Sequence, residues 1–310
     1  MKRILFASLV LALLTPVIAG AVLIDPKFSI DPASPAIDGN ITPDDVLKTG
    51  PVIHTQGTAL GLIDDFFGGF FDDLNALSYG QDSIMNPLYF SVDRVAVGLP
   101  GTDVNAQAQP GVEEAHGDVY KALPPFSDNT LFIDEEDLGL TPGFFGDNID
   151  ALELDTEPMP FTYFSVDFLS PTGDFTDILI SPGDGTFSVF ADGESHIGLD
   201  PGDDLDALVL WDVFQPGVLN PGIDMGLFSI STFSPNALTF GGSFSPADIL
   251  FTDFSGGFSL WASAADIGLR LDDEVDALDT VIPEPSTYLL FGIGILGIIG
   301  MSYRRRKKAA

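Results

Sequence analysis

Along most of the chain, apolar and polar residues alternate in short runs, and each run is closed by Gly, Pro, Asn or Asp. This is the pattern of half-buried β-strands separated by turns. Ala207–Trp211, Leu227–Thr232, Asp248–Thr252 and Phe258–Ala262 are typical predicted strands, and no long stretch carries helical periodicity. Two segments break the alternation, one largely apolar run from Ile4 to Ile18 and another from Tyr288 to Tyr303.

Between these runs the pattern repeats. An acidic element reads Asp72-Asp73-Leu74-Asn75-Ala76-Leu77, then Asp147-Asn148-Ile149-Asp150-Ala151-Leu152, Asp203-Asp204-Leu205-Asp206-Ala207-Leu208 and Asp273-Glu274-Val275-Asp276-Ala277-Leu278. A Gly-Leu pair precedes each copy, at Gly61, Gly139, Gly198 and Gly268. A second element reads Phe28-Ser29-Ile30-Asp31, Phe90-Ser91-Val92-Asp93, Phe164-Ser165-Val166-Asp167 and Phe228-Ser229-Ile230-Ser231. A third is clearest at Asp177-Ile178-Leu179 and Asp248-Ile249-Leu250, has a relative in Asp45-Val46-Leu47, and is reduced to Gly117-Asp118-Val119-Tyr120 in the second unit.

Self-similarity at a regular period marks a repeat architecture. The fold class is all-β, with four units at about residues 28–77, 78–152, 153–208 and 209–278. Each supplies about four strands, as in the blades of a β-propeller. The phase predicts closure: the body starts at a second-strand element and ends at an acidic element, so the last strand completes the first unit. The alternative is a pair of β-sandwich domains joined near residues 142–160, where Pro142, Pro158 and Pro160 punctuate the chain.

The two apolar runs read as targeting segments. Lys2 and Arg3, the run to Ile18 and the small residues Ala19-Gly20-Ala21 follow the order of a secretory signal peptide over residues 1–21, a substrate for signal peptidase. At the other end, Pro283-Glu284-Pro285 precedes a predicted transmembrane segment at 288–303 and the cluster Arg304-Arg305-Arg306-Lys307-Lys308. Cationic residues stay on the cytoplasmic side, which places the body outside. The apolar run is short and contains four glycines, so it suits transient anchoring. Residues 283–310 resemble the PEP-CTERM sorting signal, with Pro283, Glu284 and Pro285 matching its tripeptide and Arg304, Arg305 and Arg306 its basic end. The resemblance implies recognition and removal of the tail by an exosortase, in bacteria that make exopolysaccharide. It implies no activity for the body, residues 22–282.

Composition narrows the partners. Of 46 acidic residues only Glu284 lies in the end segments, whereas seven of 12 basic residues do, leaving 45 acids against Lys27, Lys48, Arg94, Lys121 and Arg270. Such a body repels nucleic acid and anionic lipid. The 26 Phe supply material for a core. The chain has no Cys, which excludes disulfides, thiolate nucleophiles and Cys-ligated zinc.

The repeated acidic turns are the candidate metal site: Asp203, Asp204 and Asp206, or Asp272, Asp273 and Asp276, gather carboxylates of the kind that Ca²⁺ prefers. The same pattern fits solvent-facing residues around a buried Leu, and no complete EF-hand loop is present. Turn chemistry is the first reading of Asp38-Gly39-Asn40 and Asp184-Gly185. Catalytic signals are sparse: His54, His116 and His196 fall in separate units, and Gly193-Glu194-Ser195-His196 lacks the nucleophile-elbow pattern. Trp211 and Trp261 sit in predicted strands, and the Phe66–Phe71 insertion around Gly68-Gly69 is an apolar surface candidate. The expectation is a non-enzymatic exported protein of the cell surface or extracellular matrix, with a structural or binding role alongside polysaccharide. The alternatives are a Ca²⁺-dependent adhesin or lectin and a secreted carbohydrate-active enzyme.

Overall fold

The computed structural model describes residues 25–37, 40–65, 70–80, 87–155 and 161–280, without the side chains of 65, 70 and 71. The signal segment, the sorting signal with its apolar run, Asp38-Gly39, Pro158, Pro160 and the Phe66–Phe71 side chains lie outside the described residues. The chain divides after Thr280 into two compact units, and every described residue belongs to the first. Among the described residues no helix is long and apolar enough to cross a membrane.

The strands are β1 (Lys27–Ile30), β2 (Val46–Lys48), β3 (Val52–Thr55), a small hairpin of β4 (Asp64–Asp65) and β5 (Phe70–Phe71), then β6 (Ala76–Ser78), β7 (Leu88–Ser91), β8 (Val119–Ala122) and β9 (Thr130–Ile133). After these come β10 (Ile149–Leu154), β11 (Thr162–Val166), β12 (Ile178–Ser181) and β13 (Ser188–Ala191). The chain continues through β14 (Leu205–Trp211), β15 (Met225–Ile230), β16 (Ile249–Thr252), β17 (Phe258–Ala262) and β18 (Val275–Asp279). They form four antiparallel sheets in the orders β18-β1-β2-β3, β6-β7-β8-β9, β10-β11-β12-β13 and β14-β15-β16-β17. The four sheets are the blades of a four-bladed β-propeller. Closure follows the predicted phase, because β18 completes the first blade by pairing Phe28 with Leu278 and Ser29 with Ala277. The two-sandwich alternative is overturned: residues 141–147 are an interblade turn that leads from the second blade into β10 of the third.

Each repeated residue has a repeated job. The Phe of the second-strand element, Phe28, Phe90, Phe164 or Phe228, is buried to within 1% of fully and contributes roughly 1.5–3 kcal/mol of apolar burial. The Ser after it reaches around the ring in three blades, where Ser29, Ser165 and Ser229 donate to the carbonyls of Leu74, Leu205 and Val275 on the next inner strand. Ser91 instead donates to the His116 carbonyl, while Asn75 Nδ2 donates to the Ile149 carbonyl. Inner-strand amides donate the opposite way, back to the preceding blade, from Leu74 to the carbonyl of Pro43, Ile149 to His116, Leu205 to Phe175 and Val275 to Pro246. The last of these links blade four to blade one, so hydrogen bonding closes the ring.

The third element supplies a carboxylate, buried in three blades and half-buried at Asp177, that caps the turn after the outer strand. Asp45, Asp118, Asp177 and Asp248 accept from the amides of Gly57, Glu135, Gly193 and Ala264 at 2.8–3.0 Å. The reduced copy, Asp118, therefore does the same work as the other three. The Gly of each Gly-Leu pair ends that turn in the left-handed region, at φ 77–89°, which glycine adopts without a Cβ penalty. The Leu that follows is buried in every case.

Candidate metal centre on the propeller axis

The two residues that open each inner-strand element, acid then acid or amide, part company. The first is a loop clamp. Asp72 accepts from Ile63, Val97 and Gly98, Asp147 from Thr141 and Thr172, Asp203 from Asp200 and Asn236, and Asp273 from Arg270 and Ala36. The second, together with the acid or amide two residues later, turns to the axis.

A backbone irregularity makes this possible. The register of the inner strand skips one residue between Ile149 and Ala151, between Leu205 and Ala207, and between Val275 and Ala277 of β18, opposite the Ser29/Ile30 step of β1. The skipped residues are Asp150, Asp206 and Asp276. A bulge leaves its extra residue outside the ladder and re-aims its side chain, and here all three point inward. Asn75 holds the equivalent place in the second blade and donates to Asp150 at 2.9 Å.

Three tiers result: Asn75, Asp150, Asp206 and Asp276; then Asp73, Asn148, Asp204 and Glu274; then, half-buried toward the mouth except for the buried Ser231, Asp31, Asp93, Asp167 and Ser231. The third tier hangs on the second, because the amides of Asp31, Asp93, Asp167 and Ser231 donate to the carbonyls of Glu274, Asp73, Asn148 and Asp204. Nine carboxyl groups thus converge, and Arg94 faces them at the mouth. Its guanidinium holds Asp167 at 2.8 and 3.2 Å and the Gly146 carbonyl at 2.6 Å. A planar fork of this kind matches a carboxylate edge.

Burial dominates the electrostatics. It pushes the carboxyls of Asp73, Asp150, Asp206 and Asp276 well above the ordinary range, and repulsion from neighbouring acids adds to it. Asp204 is pushed to about 8 and Glu274 to about 7, again first by burial. Several oxygens have no hydrogen-bond partner among the described residues: Asp73 Oδ1, Asn148 Oδ1, Asp204 Oδ1, Asp206 Oδ2 and Asp276 Oδ2. Asp150, Asp204 and Asp206 each present a carboxylate oxygen within 4.8 Å of the others. Such a cluster is neutralised by protons or by a hard cation.

The sequence candidates are therefore divided. Asp204 and Asp206 reach the axis with Asp150, and Asp276 joins the same tier from blade one. Their carboxylates are buried, which corrects the reading of them as solvent-facing. Asp203 and Asp273 are clamps, and Asp272 is exposed on the turn. The other axial acids, Asp31, Asp73, Asp93, Asp150 and Asp167, were absent from the sequence set although their signal was available: an acid recurring at one phase of a closed repeat must meet its copies at the axis.

The histidines serve the scaffold. His116 is buried, with Nε2 3.4 Å from Arg94 Nη1, and burial and the guanidinium depress it to about 4. His196 Nδ1 accepts from the Asp192 amide within the Gly193–Ile197 turn, and Ser195 Oγ lies 3.5 Å away. His54 sits on the outer strand β3.

Residues 281–306, beyond the propeller, match the PEP-CTERM protein-sorting motif, the signal of exported proteins processed by exosortase. No curated protein shows significant similarity to the chain.

Proposed function

We propose that the body is a structural or binding component of the cell surface or of an extracellular polysaccharide matrix, released there when exosortase removes the tail. The sorting motif immediately after the last blade is the observation that carries this reading. A binding role is supported at the mouth end of the propeller. The loops leaving the third tier expose Phe168 and Phe233, and Phe240 continues the row, with ring centroids 6.4 and 6.5 Å apart. Exposed aromatic faces in a row suit stacking on sugar rings. Burial of the axial acids of the first two tiers supports this reading over glycoside hydrolysis.

Mass analysis of the protein recovered from envelope, medium and polysaccharide fractions tests the proposal. A chain ending near residue 283 and co-fractionating with polysaccharide is expected, with retention lowered in F168A/F233A. A full-length chain held in the membrane would overturn the processing. Hydrolysis or lyase activity on the producer's own polysaccharide would overturn the non-enzymatic reading.

A further inference from the structure

We propose that Asp150, Asp204 and Asp206 hold a calcium ion on the propeller axis, where it ties the third blade to the fourth. Three observations carry this. The first is spacing. The three carboxylates offer oxygens within 4.8 Å of one another. Ca²⁺ bonds oxygen at about 2.4 Å and so admits ligand atoms up to about 4.8 Å apart, whereas Mg²⁺, at about 2.1 Å, demands a tighter cage.

The second is unmet bonding capacity. Asp204 and Asp206 are 5% and 6% exposed, and Asp204 Oδ1 and Asp206 Oδ2 have no hydrogen-bond partner among the described residues. Buried polar atoms are ordinarily paired, so unpaired carboxylate oxygens on two members of one buried cluster call for a ligand. The third is the donor set, which is carboxylate only. Hard oxygen donors select Ca²⁺ over the transition metals, which favour imidazole and thiolate.

Neighbouring acids serve other ends. Asp203, one residue from Asp204, has its oxygens taken up by Asp200 and Asn236 and cannot turn inward. Glu274, on the adjoining blade, accepts from the Thr232 amide and lies beside Asp206. Two of the three ligands sit on bulges in different strands, a geometry set by the ring and not by one loop. The site belongs to the blades and is independent of where the protein is delivered.

The test uses the full-length chain in detergent, stripped with EDTA and exchanged into chelator-treated buffer. CaCl₂ is titrated by calorimetry, and thermal unfolding is followed by near-UV circular dichroism. Saturable binding of a single Ca²⁺ per chain is expected, with a higher Tm, and with MgCl₂ binding more weakly. D150N and D206N should each weaken binding about tenfold or more, whereas D272N, on the exposed turn, should bind as the wild type does. Asn stands at the equivalent place in the second blade, Asn75, so both variants should fold, as far-UV circular dichroism checks. If one does not fold, the other decides. Absence of saturable Ca²⁺ binding, or wild-type affinity in folded D150N or D206N, would overturn the site.

Discussion

Glu135→Gln isolates the cost of burying a charged carboxyl. Glu135 opens the helical turn Glu135–Leu138 and has no exposed surface; neither side-chain oxygen makes a well-formed hydrogen bond among the described residues, and the Gly143 backbone and the Glu114 carboxyl are its near polar neighbours. The corresponding residues in the other blades are Gly57, Gly193 and Ala264, so the position tolerates the loss of this acid. Burial first, then Asp118, Glu114 and Asp134, push its carboxyl from 4.5 to about 9, and the Tyr120 hydroxyl also faces it. A raised carboxyl stabilises the fold fully below pH 4.5, and that contribution is lost progressively as pH rises toward 9. Each unit of displacement corresponds to about 1.4 kcal/mol, so the whole window is worth at most about 6 kcal/mol. Solvent penetration and relaxation reduce this to about 2–4 kcal/mol. Urea unfolding of wild type and E135Q, with EDTA present and ionic strength fixed, should therefore diverge with pH. The variant should be nearly equal to wild type at pH 4.5 and more stable by about 2–4 kcal/mol at pH 9. Parallel stability curves across that range would refute the reasoning.

Three further outcomes follow from the geometry. Gly198→Ala should cost about 1–3 kcal/mol, because φ is +89° and the new Cβ would meet the Gly256 carbonyl oxygen at 3.0 Å; Gly257→Ala, with open space at its Cβ, should be near neutral by thermal melting. Asp203→Ala should cost about 2–4 kcal/mol and raise amide exchange at Asp200 and Asn236, whose amides it accepts, while Asp272→Asn should stay within about 0.5 kcal/mol of wild type. Arg94→Ala should destabilise by about 1–3 kcal/mol through loss of the two-pronged contact to Asp167, and Arg94→Lys should fail to restore it, because an ammonium cannot match both carboxylate oxygens. Equal melting temperatures for R94K and wild type would count against that account.

Some of the site was legible before the fold and some was not. Asp204 and Asp206 stood out because they cluster in sequence, and that same criterion selected Asp203 and Asp272, which the fold uses differently. Sequence spacing measures distance along a strand, whereas the axis gathers residues across strands. Asp150 lies more than fifty positions from Asp204, and only the packing of the third blade against the fourth makes them neighbours. The bulge was likewise invisible: simple alternation puts Asp204 and Asp206 on one face, but it says nothing about whether that face meets water or the axis. The strands themselves were easier to read, because Phe258–Ala262 and its equivalents carry local alternation and are bounded by turn residues.

What the chain determined alone is the material of a closed array. Four copies of an acidic element, four Phe-Ser elements and a body that begins and ends out of phase suffice to predict four blades and the strand that closes them, because repetition and alternation are local properties. The export route was equally local, written in residues 283–310 and matched over 281–306. Only the tertiary structure decided which acids are clamps and which are axial, since identical Asp side chains one residue apart differ in what they meet after closure. A carboxylate's role is set by burial and by the charges and donors around it, and in a ring of blades those neighbours come from the whole length of the chain.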